Sequence, residues 1–272
     1  MSPQRTELDT FFFDGGAGQL FGCYHPPVSR RARRTGVVVC GSVGEEYISF
    51  HRALRQLAAL LSEKGFPVLR FDPSSTGDSG GACGEGRFEL WERDVDAAID
   101  ELTRRSGVTG LALVGLRLGG ALAYSAGVRW GNIGSLALWD PVVDGDAYVD
   151  ELADLYRDML DYAHVDVGKR TEGPAAASLW GLPASGATWA SVRAVDLSKL
   201  GGVPARHVLG VETNERSSCS SLLRRLEGDG VRVTRANIPS QELWTWLEDF
   251  AKVSVPLAVV RTIVGWLDEV SQ

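Results

Sequence analysis

The apolar run Leu111-Ala112-Leu113-Val114 leads into Gly115-Leu116-Arg117-Leu118-Gly119-Gly120 and then into an alanine-rich stretch. Glycines at both ends of such a frame let a strand turn sharply into a helix at close approach, which sets Arg117 at the helix N-terminus. The partial positive charge of a helix N-terminus suits an anion and disfavours a cation. A guanidinium stays protonated and presents a planar fork of donors, so Arg117 calls for carboxylate partners or a bound anion. Two chemistries are open. Arg117 is either tied down by acids as a structural plug, or it keeps a free face that grips a substrate carboxylate, phosphate or developing oxyanion.

Few other residues offer a nucleophile or a base. His51 lies near the start of the first long helix and is a candidate base, with a surface or capping role as the alternative. His25, beside Pro26 and Pro27, is expected to be exposed, and His164 falls in an insertion. Cys40, at the end of a buried strand, is a conceivable relocated nucleophile, but a buried strand cysteine more often acts as a small inert hydrophobe. The cysteines, Cys23, Cys40, Cys83 and Cys219, are scattered without a C-x-x-C pair and read as free thiols. No metal site and no cofactor are expected.

The elements that must hold these residues follow from patterning. Thr10–Phe13 and Leu20–Tyr24 flank a glycine-rich turn and read as an opening hairpin. Gly36–Cys40, Pro67–Phe71, Gly110–Val114, Ser135–Trp139, Ala205–Val211 and Val231–Arg235 read as further strands, several of them continuous apolar runs of the kind buried on both faces of a parallel sheet. Helices are expected over Phe50–Lys64, Phe88–Ser106, the alanine-rich stretch after Gly120, Ala147–Ala163, and from near Ser217 and Pro256. Gly41 to Glu46 reads as a loop. Strands alternating with helices imply an α/β fold with a mostly parallel, doubly wound sheet. Residues 144–200 break the rhythm and read as a small helical cap inserted above the carboxyl ends of the strands, where ligands bind in such sheets. Residues 1–143 and 201–272 then form the core.

The series Gly44-Glu45-Glu46-Tyr47, His51-Arg52-Ala53-Leu54, Val68-Leu69-Arg70-Phe71-Asp72, Gly77-Asp78-Ser79-Gly80-Gly81, Trp91, Asp94, Gly-Leu-Arg-Leu-Gly and Trp139-Asp140-Pro141-Val142-Val143 resembles one branch of the α/β-hydrolases. That branch is the serine-aminopeptidase-like hydrolases, including proteins known as exosortase-associated hydrolases, some of which also carry arginine in the elbow. The resemblance runs from about Phe11 to Asp150 and implies the α/β-hydrolase fold, with Arg117 where G-x-S-x-G has its nucleophilic serine. It also implies that the loop carrying Glu45 and Glu46 faces the elbow, and that Asp140 and Glu212 stand where the fold places its acid. The backbone N–H groups of Leu118 and of Gly41 or Ser42 would form an oxyanion hole. Asp78 and Ser79 are expected to hold their loop by side-chain to backbone hydrogen bonds. Trp139 is expected to pack in the core, while Trp180, Trp189, Trp244 and Trp246 are candidates to line an apolar pocket, with Trp244 the substrate-binding choice.

The catalytic histidine of the family follows the last strand, and no histidine follows His207 in this sequence. With both nucleophile and base missing, hydrolysis through a seryl intermediate is not expected. The leading expectation is an enzyme doing acid/base or oxyanion chemistry without a covalent intermediate on an acyl or carboxylate-bearing small molecule, plausible in a bacterial biosynthetic pathway. Arg117, Glu45, Glu46, Asp140 and His51 are its candidate catalytic residues. The rival is a pseudo-hydrolase that binds or scaffolds. A net charge of −7 and a pI near 5.2 argue against a nucleic-acid partner, and Arg30, Arg31, Arg33 and Arg34 read as a solvated loop. No apolar run is long enough for a membrane span and the start lacks a signal-peptide pattern, so a soluble, cytoplasmic protein is expected. Nothing in the residues specifies an oligomeric state.

Overall fold

The computed structural model describes residues 8–28, 32–82, 84–162, 178–179, 182–183, 185–214, 219–240 and 255–271. β1 (Asp9–Gly15) and β2 (Gly18–His25) form the opening hairpin, paired from Asp9↔Tyr24 to Gly15↔Gly18. In chain order there follow β3 (Thr35–Cys40), α1 (Gly44–Glu63), β4 (Val68–Phe71), α2 (Phe88–Ser106), β5 (Gly110–Leu116), α3 (Leu118–Trp130) and β6 (Ser135–Trp139). Then come α4 (Gly145–Tyr162), the two-residue strands β7 (Ser178–Leu179) and β8 (Leu182–Pro183), α5 (Gly186–Arg193), β9 (His207–Glu212), α6 (Ser220–Gly228), β10 (Arg232–Asn237) and α7 (Leu257–Val270).

Eight strands make one sheet in the order β1-β2-β4-β3-β5-β6-β9-β10. The run from β4 to β10 is parallel, and β2 joins it antiparallel through Cys23↔Arg70 and His25↔Val68. Strand β5 shows why the centre reads as unbroken apolar sequence. Leu111 and Leu113 enter the layer under α2, α3 and α6, while Ala112, Val114 and Leu116 enter the layer under α1 and α7. Both faces are buried, so no polar position alternates.

Two expectations need correction. The segment Gly44–Glu46 is not loop, because α1 starts at Gly44 and carries Glu45 and Glu46 in its first turn. Acids there complement the helix dipole, so their polarity marks a helix start. The basic stretch is likewise not wholly solvated. Arg33 is half-buried, binds Asp268 and donates to the Ser271 carbonyl at 3.2 Å, tying the β3 side of the sheet to α7.

The excursion between β6 and β9 leaves and returns at one place. Asp144 bridges Asp196, Gly145 N–H donates to the Val195 carbonyl at 2.7 Å, and Leu197 N–H donates to Val143 at 2.9 Å. Between these anchors α4 turns Tyr148, Val149 and Leu152 into the core. Among the described residues, no helix is long and apolar enough to cross a membrane.

Candidate functional site

Contact distances explain the glycines of the elbow. A Cβ on Gly115 would lie 2.4 Å from the Gly119 oxygen, and one on Gly119 would lie 2.3 Å from the oxygens of both Cys40 and Gly41. Strand β5, helix α3 and the end of β3 therefore meet backbone to backbone, which only glycine permits. The turn between them is made by Arg117 at φ 53° and ψ −120°, a left-handed region that costs a side-chain-bearing residue about 1–3 kcal/mol. Surrounding hydrogen bonds hold it there. Arg117 N–H donates to the Trp139 carbonyl at 3.0 Å, and its own carbonyl accepts from Gly120 at 2.9 Å and Val142 at 3.1 Å.

The Arg117 side chain is buried, and two carboxylates from different elements hold it. Nε donates to Glu46 Oε1 at 2.8 Å, Nη2 donates to Glu151 Oε2 at 2.7 Å, and the guanidinium carbon lies 5.0 Å from the Tyr148 ring centre. Glu46 Oε2 accepts from Ser42 Oγ at 2.5 Å and from the Tyr148 hydroxyl at 2.9 Å. Burial alone would lower the guanidinium's proton affinity, but the charges of Glu46 and Glu151 outweigh it and raise the affinity above the usual arginine value. Tyr148 is raised as well, by burial and by the Glu46 charge, so it is a neutral phenol that donates to Glu46. Arg117 thus links α1 to α4 across the end of β5.

The other sequence candidates are more dispersed. Glu45 is half-buried, and burial raises its carboxyl. Asp140, fully buried at φ 41°, accepts from Thr213 N–H at 2.8 Å and from the Thr213 hydroxyl. Glu212 accepts from Cys219 N–H at 2.8 Å. His51 is exposed on the second turn of α1, stacked edge-on against Tyr47 at 5.8 Å, where burial, Arg70 and Arg55 lower its proton affinity against an opposing pull from Asp72. Gly41 and Ser42 follow β3, and Leu118 opens α3, where its N–H has no intrahelical acceptor. Trp244, Trp246, Trp180 and His164 lie outside the described residues.

Cys40 is fully buried, and burial raises its thiol to about 12, a poor nucleophile. Trp139 packs edge-on against Phe50 at 5.5 Å, and its Nε1 has no hydrogen-bond partner among the described residues. Ser79 accepts from Phe21 N–H at 2.8 Å and donates to the Asp72 carbonyl, clamping its loop to β2. His25 contradicts the sequence expectation. It is buried, because β2 continues through it to pair with Val68 and its imidazole accepts from Arg70 Nε at 3.2 Å.

Sequence reasoning missed Glu151 and Tyr148. The two are three residues apart on α4, a spacing that puts both on one face. Above them lies an open cavity of about 630 Å³, lined by Arg117, Val142, Tyr148, Glu151, Asp154 and Asp158 among others. Its size falls within the range of small-molecule sites.

No family model and no curated protein matches the chain. Solved structures do. A serine hydrolase described as lacking a lid, from Xanthomonas campestris, matches with a TM-score of 0.62 and 16% identity over 97% of this chain and 94% of that one. Est1E from Butyrivibrio proteoclasticus matches with a TM-score of 0.65 and 16% identity over 96% of this chain and 98% of its own. A thermostable carboxyl esterase from Bacillus coagulans matches with a TM-score of 0.63 and 14% identity over 98% and 100%. The chain has the α/β-hydrolase fold. In this chain the turn at the end of β5 carries a buried arginine bound by two carboxylates.

Proposed function

We propose that this chain is a small-molecule-binding protein on the α/β-hydrolase fold that forms no covalent acyl intermediate. Its binding site is the cavity over Arg117, and residues 144–200 are the cap. The observation that carries this reading is the clamp of Arg117 between Glu46 and Glu151. A guanidinium held protonated by two carboxylates has no lone pair with which to attack a carbonyl. No histidine follows His207 to serve as base, and Cys40 is sealed in the core.

The same clamp bears on the ligand. Arg117 already serves two carboxylates; of the other acids lining the cavity, Asp150 and Asp154 pair with Arg193 and Arg157, while Asp144 and Asp158 make no ion pair among the described residues. A free carboxylate entering there meets like charges. An uncharged acyl group avoids that repulsion.

A second reading, acid/base catalysis without a covalent intermediate, has one observation in its favour. Glu151 lines the cavity, its side chain is 15% exposed, and it binds Arg117 through Oε2. That leaves a carboxylate base at the floor of the site.

A fluorophosphonate probe and a chromogenic ester test the main reading, together with a thermal-shift screen of neutral esters, thioesters and amides. No labelling, no ester burst and at least one saturable ligand are expected. Stoichiometric labelling overturns the reading. Turnover of a bound ligand that disappears in Glu151→Gln while binding persists selects the enzyme instead.

A further inference from the structure

We propose that the sheet face under α1 carries an oxyanion-binding site, in which the Arg70 guanidinium, with Arg55 beside it, takes a phosphate- or sulfate-type group. This site is separate from the elbow cavity and stands whether or not the reading of that cavity holds.

Arg70 on β4 is 9% exposed, so its charge is nearly as removed from water as that of Arg117. Arg117 has two carboxylates, whereas Arg70 has none within ion-pair distance among the described residues. Its one hydrogen bond runs from Nε to His25 Nε2 at 3.2 Å. That imidazole supplies no negative charge. Burial and the nearby Arg70 and Arg55 push its pKa down to about 4, so it is a neutral acceptor at physiological pH.

Asp72 is the acid whose charge acts on Arg70, and both its oxygens are hydrogen-bonded to other groups. Oδ1 accepts from the Tyr47 hydroxyl at 3.0 Å, and Oδ2 accepts from Asp78 N–H at 3.0 Å. The other charge felt by Arg70 along α1 is Arg55, which is exposed and makes no ion pair among the described residues. Both guanidiniums also act on His51.

The two terminal nitrogens of Arg70 have no hydrogen-bond partner among the described residues, yet they are not among the fully enclosed polar atoms left without one. They therefore reach solvent from a side chain that is otherwise enclosed. A buried cation whose open edge is a planar pair of donors is the geometry that binds a tetrahedral oxyanion in a fork. The second guanidinium adds charge on the solvent side. In a chain of net charge −7, these two guanidiniums make no ion pair among the described residues.

The test titrates inorganic phosphate, sulfate and acetate into the full chain, against potassium chloride at equal ionic strength. It follows thermal stability and the His51 imidazole signals by NMR. Phosphate and sulfate are expected to give saturable shifts and to raise the His51 titration midpoint, with acetate weaker. Arg55→Ala, on the exposed helix face, should weaken phosphate binding several-fold, and Arg70→Lys, which keeps the charge but loses the fork, at least about tenfold. Should Arg70→Lys fail to fold, Arg55→Ala and the His51 signals still decide. Shifts matched by potassium chloride, unchanged binding in Arg55→Ala, or acetate binding as well as phosphate overturns the proposal.

Discussion

Arg117 Nη2 and Glu151 Oε2 meet at 2.7 Å, and through this pair α4 is fastened to the elbow. Nε of the same guanidinium binds Glu46 on α1 at 2.8 Å, so one cation offsets two carboxylates in a nearly dry site. Removing it leaves both acids without a cation, with Glu46 keeping only the Ser42 and Tyr148 hydroxyls. Arg117→Ala should lose about 3–5 kcal/mol of stability, the range for breaking a buried pair by deleting one partner, read as a lower urea midpoint. Arg117→Ser, which places a serine at the turn, is expected to gain no esterase activity, because no histidine follows His207 in this sequence. Hydrolysis of a chromogenic ester by that variant would count against the reading of the missing histidine.

The two carboxylates are not equivalent. Glu46 accepts from Arg117, Ser42 and Tyr148, whereas Glu151 shows one such bond and is partly exposed. An amide at position 46 must turn its NH2 either toward the Arg117 guanidinium or toward the Ser42 and Tyr148 hydroxyls, which must then accept instead of donate. Glu46→Gln should therefore cost about 2–4 kcal/mol and Glu151→Gln about 1–2 kcal/mol. Combining them in a double-mutant cycle should show coupling of about 0.5–3 kcal/mol through Arg117. Equal costs with no coupling would mean that the clamp is not a unit.

How far the sequence could be read depended on whether the signal was local. The glycine frame around Arg117 and the valine run of β3 each report their own backbone, and both were legible. Pairing of Arg117 with Glu46 was within reach, because a buried guanidinium demands an acid and that acid lies just after β3. Glu151 and Tyr148 were not, although their spacing on α4 was visible, because nothing in the sequence fixes how an inserted helix lies over the sheet. His25 misled for a related reason. The prolines after it mark the end of β2 but do not reveal that Arg70, 45 positions later, lies against it.

Steric contact at the elbow gives an independent check. Gly119→Ala places a methyl 2.3 Å from two backbone oxygens at the end of β3, and neither can move without displacing a central strand. The cost should exceed about 3 kcal/mol, in the tail reserved for overpacking and backbone strain. Gly228→Ala, where a Cβ meets nothing within 4 Å, serves as control and should be neutral or stabilising by up to about 1 kcal/mol. Similar melting temperatures for the two variants would refute the backbone-to-backbone contact.

His25 should set part of the acid stability. Burial, with help from Arg70 and Arg55, lowers its pKa to about 4 in the folded chain, against about 6.5 in the unfolded chain. Between those values the unfolded state binds more protons, so stability rises with pH across the window and levels off above about 6.5. The neutral imidazole therefore adds destabilisation on acidification of up to about 3 kcal/mol between pH 6.5 and 4. Glutamine at this position retains an oxygen that can accept from Arg70 Nε but does not titrate. Urea unfolding of wild type and His25→Gln across that window should show the wild type losing stability faster as pH falls. Parallel profiles would mean that His25 takes up its proton alike in the folded and unfolded chain, and that its burial against Arg70 is not as described.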